Sequence, residues 1–279
     1  MTGRVVCFGE LLLRLTAPGR ELLLQTPRLE VNVGGAEANV AVALSHLGHS
    51  TAMVSRVPDN ALGEAATGYL RRHGVDAGHV ASAPGRMGLY FLAAGAGLRA
   101  SEIVYDREHS AFAAATAADY DWPAILDGAG LLHIYGITPA LGPASADLAI
   151  AAAEAATAQG VAISFDGNYR AQLWQRWDSD PPAILKRLVA HAEILFGNHR
   201  DISLLLGRAF SGDGEERRRE AAVAALDAFP MLRLIASTAR HIDDADRHRI
   251  SARIDTRDGS AQTDEVRVAS IVDRIGAGD

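Results

Sequence analysis

The sequence is poor in cysteine: Cys7 is the single one among 279 residues. One cysteine cannot form a disulfide within the chain, and no Cys/His spacing typical of a zinc site accompanies it. Such cysteine usage is typical of proteins in a reducing compartment. We therefore expect a cytoplasmic protein without structural disulfides.

Positive charge is also scarce. The chain has 27 Lys and Arg residues against 34 Asp and Glu residues, which gives a formal net charge of −7. A nucleic-acid-binding surface needs clustered Lys and Arg to neutralise phosphates, so no nucleic-acid partner is expected. Small soluble molecules are the partners that this composition favours.

No hydrophobic run in the sequence is long enough to cross a membrane. Residues 5–8 and 11–13 are apolar, but Glu10 and Arg14 interrupt any signal-peptide core. With 48% hydrophobic and 22% charged residues, the chain can bury one sizeable core. We therefore expect one globular domain over residues 1–279, neither exported nor bound to a membrane.

Short β-rich runs alternate with helix-periodic segments, which predicts an α/β fold with a mainly parallel sheet covered by helices on both faces. Two segments, 22–33 and 87–107, break this alternation and indicate a small appended sheet. Strands are predicted at residues 5–8, 52–57, 131–135, 161–166, 194–196 and 232–237, and helices at 36–47 and from Pro143 to Gly160.

The first of these helices opens with Gly34-Gly35-Ala36-Glu37-Ala38-Asn39. Glycines let a ligand approach the backbone, and a helix N-terminus offers unpaired N–H groups. Asn39 can donate and accept hydrogen bonds, which suits a sugar hydroxyl. The segment also fits an ordinary turn and helix cap, and by itself it does not decide between the two.

The sequence ends on Gly276-Ala277-Gly278-Asp279. Successive small residues can direct several backbone amides at one anion. An acidic residue beside such amides can act as a base, and phosphoryl transfer needs little more than a positioned nucleophile and a stabilised phosphoryl group. A glycine-rich tail without function is the alternative for this run alone.

Together the two motifs resemble those of the ribokinase-like (PfkB-type) sugar kinases, and the resemblance covers essentially the whole chain. The family's amino-terminal signature matches Gly34, Gly35, Asn39 and Gly48, and its carboxyl-terminal signature makes Asp279 the catalytic base. The resemblance implies a three-layer α/β/α fold with the small sheet as a lid. Glu37 is a departure, since many members have glycine there.

Four further stretches bear on the sugar: Gly88-Leu89-Tyr90, Tyr105-Asp106-Arg107, Ile137-Thr138-Pro139-Ala140 and Asp166-Gly167-Asn168-Tyr169-Arg170. They resemble the 2-keto-3-deoxygluconate kinase subfamily, in which lid tyrosines and two arginines hold an acidic sugar. The residues implied as a substrate site are Gly34, Gly35, Asn39, Tyr90, Tyr105, Arg107, Ile137 and Arg170. Ribokinase and adenosine kinase relatives carry an Asp just after the first strand, where this chain has Leu11-Leu12-Leu13, so ribose and nucleosides are less favoured.

The two arginines also carry a physical argument. Two guanidinium groups that converge on one pocket repel each other unless an anion such as a carboxylate lies between them. The alternative for each arginine is an ordinary salt bridge, for example with Asp106 or Asp166.

The nucleotide region matches the family less closely. Asn198-His199-Arg200-Asp201 resembles the family's Asn-x-x-Glu, which acts through water on magnesium and phosphates, so Asn198 and Asp201 are implied at the cofactor and Asp201 at the Mg²⁺. Thr238 and Arg240 stand where most relatives have Lys or Thr before a glycine-rich turn, and they are candidate phosphate contacts. ATP and Mg²⁺ are the implied cofactors.

The resemblance implies ATP-dependent phosphorylation of 2-keto-3-deoxygluconate to 2-keto-3-deoxy-6-phosphogluconate. The alternatives are another PfkB-type kinase, such as a fructokinase or ribokinase-like enzyme, and a non-catalytic protein that binds sugar acids. A dinucleotide-dependent dehydrogenase has little support, because the strand-like segment that follows Gly95-Ala96-Gly97 makes this run a hairpin turn.

Two expectations concern the whole protein. The exposed face of a lid sheet commonly needs covering, so we expect a homo-oligomer that contacts through the lids. In the family, the Gly-Ala-Gly-Asp run opens a helix, and further helices wall the adenine site. The sequence ends at Asp279, so we expect a fragment that lacks the carboxyl-terminal part of the nucleotide site. The alternative is a protein that has lost half of its nucleotide pocket.

Overall fold

The computed structural model describes residues 3–211, 214–273 and 276, and the chain divides into two compact units. The N-terminal unit comprises Arg4–Ala115, Arg240–Ile250 and the described residues from Glu265 on. The central unit comprises Gly3, Thr116–Ala239 and Ser251–Asp264. Each unit combines helices with a parallel sheet, as the α/β prediction requires.

The N-terminal unit contains two sheets. Parallel strands in the order β1-β4-β5 form one, and the other has four strands in the order β3-β2-β6-β7. The elements are β1 Arg4–Phe8, β2 Leu12–Thr16, β3 Glu30–Gly34, α1 Ala36–His46, β4 Thr51–Pro58, α2 Ala61–Arg72, β5 Asp76–Ala83, β6 Leu89–Ala93 and β7 Glu102–Asp106.

The core of this unit lies against strands β1 and β4, whose central residues are wholly buried. Such short apolar runs are typical of parallel strands that are covered on both faces. Helices α1 and α2 contribute small residues such as Ala41 and Ala66 to the same core. Cys7 belongs to this core, and burial, reinforced by the charge of Glu37, raises the pKa of its thiol. Its role is therefore packing rather than chemistry.

The four-stranded sheet confirms the predicted small appended sheet, with one strand more than the two predicted segments supply. Segments 22–33 and 87–107 supply β3, β6 and β7, whereas Leu12–Thr16 forms the unpredicted strand β2 between β3 and β6. The predicted turn at Gly95-Ala96-Gly97 is confirmed: Ala96 and Arg99 exchange backbone hydrogen bonds at 3.0 Å, and β6 and β7 pair antiparallel.

The central unit has the parallel strand order β8-β9-β10-β11, followed by β12 and β13. Strands β11 and β12 continue into the N-terminal unit, where β12 pairs with β14. The elements are α3 Trp122–Ile125, β8 Ala129–Tyr135, α4 Pro143–Ala158, β9 Ala162–Asp166, α5 Ala171–Trp174, α6 Pro181–Val189, β10 Ile194–Phe196, α7 His199–Leu206, α8 Gly214–Ala228, β11 Leu234–Asp244, β12 Arg247–Asp255, β13 Ser260–Gln262 and β14 Val266–Ala269.

Most predicted elements are confirmed at nearly the predicted bounds, including α1 and α4 with the left-handed glycines Gly48 and Gly160 after them. The strand predicted at 232–237 is wrong in extent, because β11 runs over Leu234–Asp244. Strand β11 pairs with β12 as well as with β10, and this second pairing allows it to be longer than the other parallel strands. Among the described residues, no helix is long and apolar enough to span a membrane.

Candidate active site

Glycines follow the parallel strands of the central unit and draw their loops together. The N–H groups of Gly136, Gly167 and Gly197 donate to carbonyls of the adjacent strands at 2.7, 2.8 and 3.0 Å. A Cβ at position 136 would collide with the carbonyl oxygen of Gly167, so the close approach requires glycine. The loops therefore leave one sheet edge side by side, at the strand ends where α/β proteins bind ligands.

In the N-terminal unit, the backbone of the Gly34-Gly35 turn lies so close to the backbone of Glu10 that a side chain at position 35 would collide with it. Gly35 has φ 139°, a conformation suited to glycine, and its Cβ would lie 2.5 Å from the carbonyl oxygen of Glu10. The Asn39 N–H donates to the Gly35 carbonyl at 2.8 Å, which places Asn39 in the first turn of α1. The predicted position of Asn39 on a helix is confirmed.

Two tyrosines of the four-stranded sheet lie together, and one of them lies beside this turn. Tyr90 on β6 and Tyr105 on β7 are directly opposite each other, with ring centroids 6.3 Å apart. The Tyr90 hydroxyl lies 4.0 Å from the position a Cβ at Gly34 would occupy. The structure therefore brings Gly34, Tyr90 and Tyr105 into one neighbourhood, as the resemblance implies.

Arg107 follows β7 and is held in a buried ion pair. Its Nε lies 2.5 Å from Glu10 Oε2, and the two side chains are 4% and 1% exposed. The Ser110 hydroxyl donates to the other Glu10 oxygen. The alternative pairing of Arg107 with Asp106 is wrong, because Asp106 pairs with Arg86 at 2.5 Å and so raises the pKa of that arginine.

This ion pair also changes the charge argument for the sugar. Because Glu10 already neutralises Arg107, no substrate anion is needed to compensate that guanidinium. Glu10 is not among the site residues predicted from the sequence, although a lone carboxylate inside an apolar run is a signal for a buried ion pair. Glu37 is the second buried carboxylate of this unit, 1% exposed, and its carboxyl group packs on Gly9.

In the central unit, two substrate-site candidates follow strands β8 and β9. Ile137 lies in the turn after β8 and is 9% exposed. Arg170 lies just before α5, is exposed, and donates from Nη1 to the Tyr169 carbonyl at 3.2 Å. Asp166, proposed above as a salt-bridge partner, accepts from the Asn168 N–H at 2.9 Å and so shapes this loop.

Asp201 has a structural role at the start of α7. Its Oδ2 accepts from the Asn198 N–H at 2.8 Å while Asn198 Oδ1 accepts from the Arg200 N–H, which together form a capping box. Burial raises the pKa of Asp201, and the Asn198 N–H, Arg170 and His199 act in the opposite direction. Arg170 and Asp201 are thus close enough to interact electrostatically.

Whether Asp201 suits a magnesium ion follows from its surroundings. The described residues contain no group of three His, Cys, Asp or Glu side chains arranged to hold a metal. Magnesium at a phosphoryl-transfer site is typically held by one or two carboxylates together with substrate phosphates and water. One Asp201 oxygen is engaged by the Asn198 N–H, so the remaining oxygen fits such a limited role.

The other nucleotide candidates are placed differently from the family pattern. Thr238 and Arg240 are exposed residues within strand β11, not members of a turn after it. Of the predicted catalytic run, Gly276 is described and has φ 81°, whereas Ala277, Gly278 and Asp279 lie outside the described residues. Asp273, shortly before this run, pairs with Arg14 of β2 at 2.7 Å.

A mainly parallel sheet with helices on both sides and a separate small sheet define the ribokinase-like class of α/β proteins. The model of the pfkB family of carbohydrate kinases matches residues 2–279, and the chain belongs to that family. Both the fold and the family implied by the sequence motifs are therefore confirmed.

The similar proteins include kinases of acidic sugars. The chain is 37% identical over 208 residues to a 2-dehydro-3-deoxygalactonokinase of Haloferax volcanii, which covers 74% of this chain and 64% of that protein. It is 31% identical over 224 residues to a 2-dehydro-3-deoxygluconokinase of Thermoproteus tenax, covering 80% and 67%. The crystal structure of 2-dehydro-3-deoxygluconokinase from Thermotoga maritima superimposes with a TM-score of 0.93 at 36% identity, covering 99% of this chain and 84% of that one.

Proposed function

We propose that this protein phosphorylates 2-keto-3-deoxygluconate with ATP, giving 2-keto-3-deoxy-6-phosphogluconate. The observation that carries the proposal is the grouping of Gly34, Tyr90 and Tyr105, with Arg107 two residues after Tyr105, in a member of a carbohydrate kinase family. The names of its relatives support an acidic sugar as the substrate.

The residues of the N-terminal unit bind the body of the sugar. Gly34, Gly35 and Asn39 hold hydroxyls, because the glycines admit the ligand to the backbone and Asn39 offers both a donor and an acceptor. Tyr90, Tyr105 and Arg107 hold the keto and carboxylate end. Ile137 supplies an apolar contact, and Arg170 donates a charge-assisted hydrogen bond to the carboxylate.

The catalytic step is assigned to the carboxyl-terminal run. Asp279 accepts the proton of the sugar's terminal hydroxyl as the hydroxyl oxygen attacks the γ-phosphorus of ATP, and the bond from that phosphorus to the bridging oxygen breaks to release ADP. The amides of Gly276, Ala277 and Gly278 stabilise the charge on the phosphoryl oxygens. Asn198, Thr238 and Arg240 contact the phosphates, and Asp201 holds Mg²⁺. When bound, that ion neutralises charge on the phosphates.

The lid sheet is also the proposed contact of a homo-oligomer in the cytoplasm. Val31 of β3 and Val104 of β7 are 58% and 45% exposed, an apolar exposure that a second copy of this chain would cover. Sedimentation at several concentrations tests this, since Val31→Asp with Val104→Asp should shift an oligomer towards monomer.

Turnover is tested by mixing the protein with ATP, magnesium and 2-keto-3-deoxygluconate and following ADP. Asp279→Asn should abolish ADP release while leaving the Kd for the sugar acid within about twofold, because the base acts on the reacting hydroxyl. Asp258→Asn, at an exposed aspartate in the turn before β13, is the control and should retain activity.

Other outcomes separate the alternatives. Faster turnover of fructose than of the sugar acid would identify a fructokinase. Binding of the sugar acid without ADP would identify a non-catalytic relative. Full activity of Asp279→Asn would show that another group is the base.

A further inference from the structure

Glu10 lies where three elements of the proposed sugar site meet. Its backbone carbonyl packs on Gly35, where a Cβ would lie 2.5 Å from the oxygen. Its carboxyl group packs on Gly88, two residues before Tyr90, and a Cβ at Gly88 would collide with it. Its two oxygens are hydrogen-bonded by Arg107 and Ser110.

We infer that Glu10 is a positioning residue that fixes the Arg107 guanidinium for recognition of the substrate carboxylate. The inference rests on the proposed function, because it takes Arg107 as a substrate contact. With Nε committed to Glu10, only the two Nη groups of Arg107 can be offered to a ligand.

The buried pair determines how Arg107 recognises its ligand. A guanidinium without a partner attracts any anion, whereas one neutralised by a buried carboxylate binds through directed hydrogen bonds. Arg107 therefore selects a carboxylate by position and orientation rather than by charge alone. Glu10 acts only through Arg107 and does not itself contact the sugar.

The glycine at position 88 supports the same interpretation. Any larger side chain there would displace the Glu10 carboxylate and, with it, the hydrogen bonds to Arg107 and Ser110. The Leu11 N–H donates to the Ser55 hydroxyl at 3.0 Å and fixes the backbone beside Glu10. The carboxylate is thus fixed from both the strand side and the lid side within this unit.

A double-mutant cycle with a binding readout tests this inference. Calorimetry on the protein with 2-keto-3-deoxygluconate should give a Kd raised at least tenfold by Glu10→Ala and by Arg107→Ala. The double variant should bind within twofold of Arg107→Ala, because Glu10 has no further effect once its arginine is absent. If the increase in Kd of the double variant equals the product of the two single increases, Glu10 has a general structural role and the inference is overturned.

Controls separate positioning from damage to the fold. Asp106→Ala removes the neighbouring ion pair with Arg86 and should leave the Kd within twofold. Ser110→Ala, a milder change, covers the case in which Glu10→Ala does not fold: it should raise the Kd severalfold, and only when Arg107 is present. An unchanged Kd in Ser110→Ala and Glu10→Ala would contradict the inference.

The readout also separates this inference from the proposed kinase activity. Sugar-acid binding that follows the cycle without ADP release would contradict the activity and support the role of Glu10. Turnover with an unchanged Kd in Arg107→Ala would support the activity and overturn the role of Glu10.

Discussion

Two glycines flank helix α1, and both have backbone conformations that side-chain-bearing residues rarely adopt. Gly35 precedes the helix with φ 139°, and Gly48 follows it with φ 87°. A Cβ at Gly48 would meet nothing within 4 Å, whereas one at Gly35 would lie 2.5 Å from a backbone oxygen that cannot easily move. A substitution at Gly48 therefore measures the cost of backbone strain alone, and one at Gly35 adds the cost of a steric collision.

We expect Gly48→Ala to lower the free energy of unfolding by about 1 kcal/mol, the cost of the strained backbone alone. Gly35→Ala should cost roughly 2–4 kcal/mol because a collision with Glu10 is added. Urea denaturation of both variants measures the difference. Equal losses would show that the turn at Gly35 relaxes without cost.

His133 on β8 is a histidine buried inside the central unit. It is 5% exposed, its Nδ1 lies 3.0 Å from the Ser164 hydroxyl, and Tyr135 and Phe196 meet its ring edge-on. Its Nε2 has no hydrogen-bond partner among the described residues. Burial disfavours the charged ring and lowers the pKa of His133 to about 4.

The lowered pKa makes the fold sensitive to acid. An unfolded histidine titrates near pH 6.5, so between this pH and about 4 the unfolded state takes up a proton that the folded state excludes. Stability is therefore lost as the pH falls through this window, by roughly 3 kcal/mol for a shift of this size.

Replacement of His133 should remove this acid sensitivity. The difference in unfolding free energy between pH 7 and pH 4.5 should be roughly 2 kcal/mol smaller in His133→Gln than in the wild type. His49→Gln, at an exposed histidine, is the control. An unchanged pH dependence in His133→Gln would show that folding does not lower the pKa of His133.

At the scale of elements, apolar runs bounded by glycine located most of the main sheet and the helices that cover it. Strand β2 is not predicted from the sequence, because its leucines follow β1 so closely that they read as part of the amino-terminal apolar run. Its pairing with β3 and β6 depends on residues far along the chain, and periodicity within one segment does not contain that information.

For the candidate site too, the sequence predicts local turns and loops but not contacts between residues far apart in the chain. Local motifs located the Gly34-Gly35 turn and the loop before Arg170, but the partner of Arg107 lies 97 residues away in the sequence. The sequence around Arg107 does, however, argue against the alternative salt bridge between Arg107 and Asp106. Asp106 ends strand β7 and Arg107 follows it directly, and adjacent side chains in extended backbone point to opposite sides, so the two are poorly placed to pair.

At the scale of the whole molecule, a net charge of −7 opposes an anionic sugar acid and a nucleotide. Binding of such ligands must therefore depend on local arginines rather than on the overall field. Arg107 is neutralised by a hydrogen-bonded, buried ion pair with Glu10, whereas Arg170 is exposed, donates to a backbone carbonyl and interacts with Asp201 only through its charge. Arg170 is thus the residue on which attraction of the carboxylate should depend most.

If binding depends on Arg170, the sugar acid should stabilise the wild type more than the Arg170→Ala variant. At a concentration of 100 times its Kd, 2-keto-3-deoxygluconate should add roughly 2.7 kcal/mol to the unfolding free energy and raise the Tm. A lost charge-assisted hydrogen bond is worth about 1.5–3 kcal/mol, so Arg170→Ala should lose at least half of this stabilisation at the same concentration. Arg187→Ala, which removes an arginine from an exposed pair with Glu154, should retain it. Thermal unfolding with and without the sugar acid measures both, and an equal Tm shift in Arg170→Ala and the wild type would assign the carboxylate to another residue.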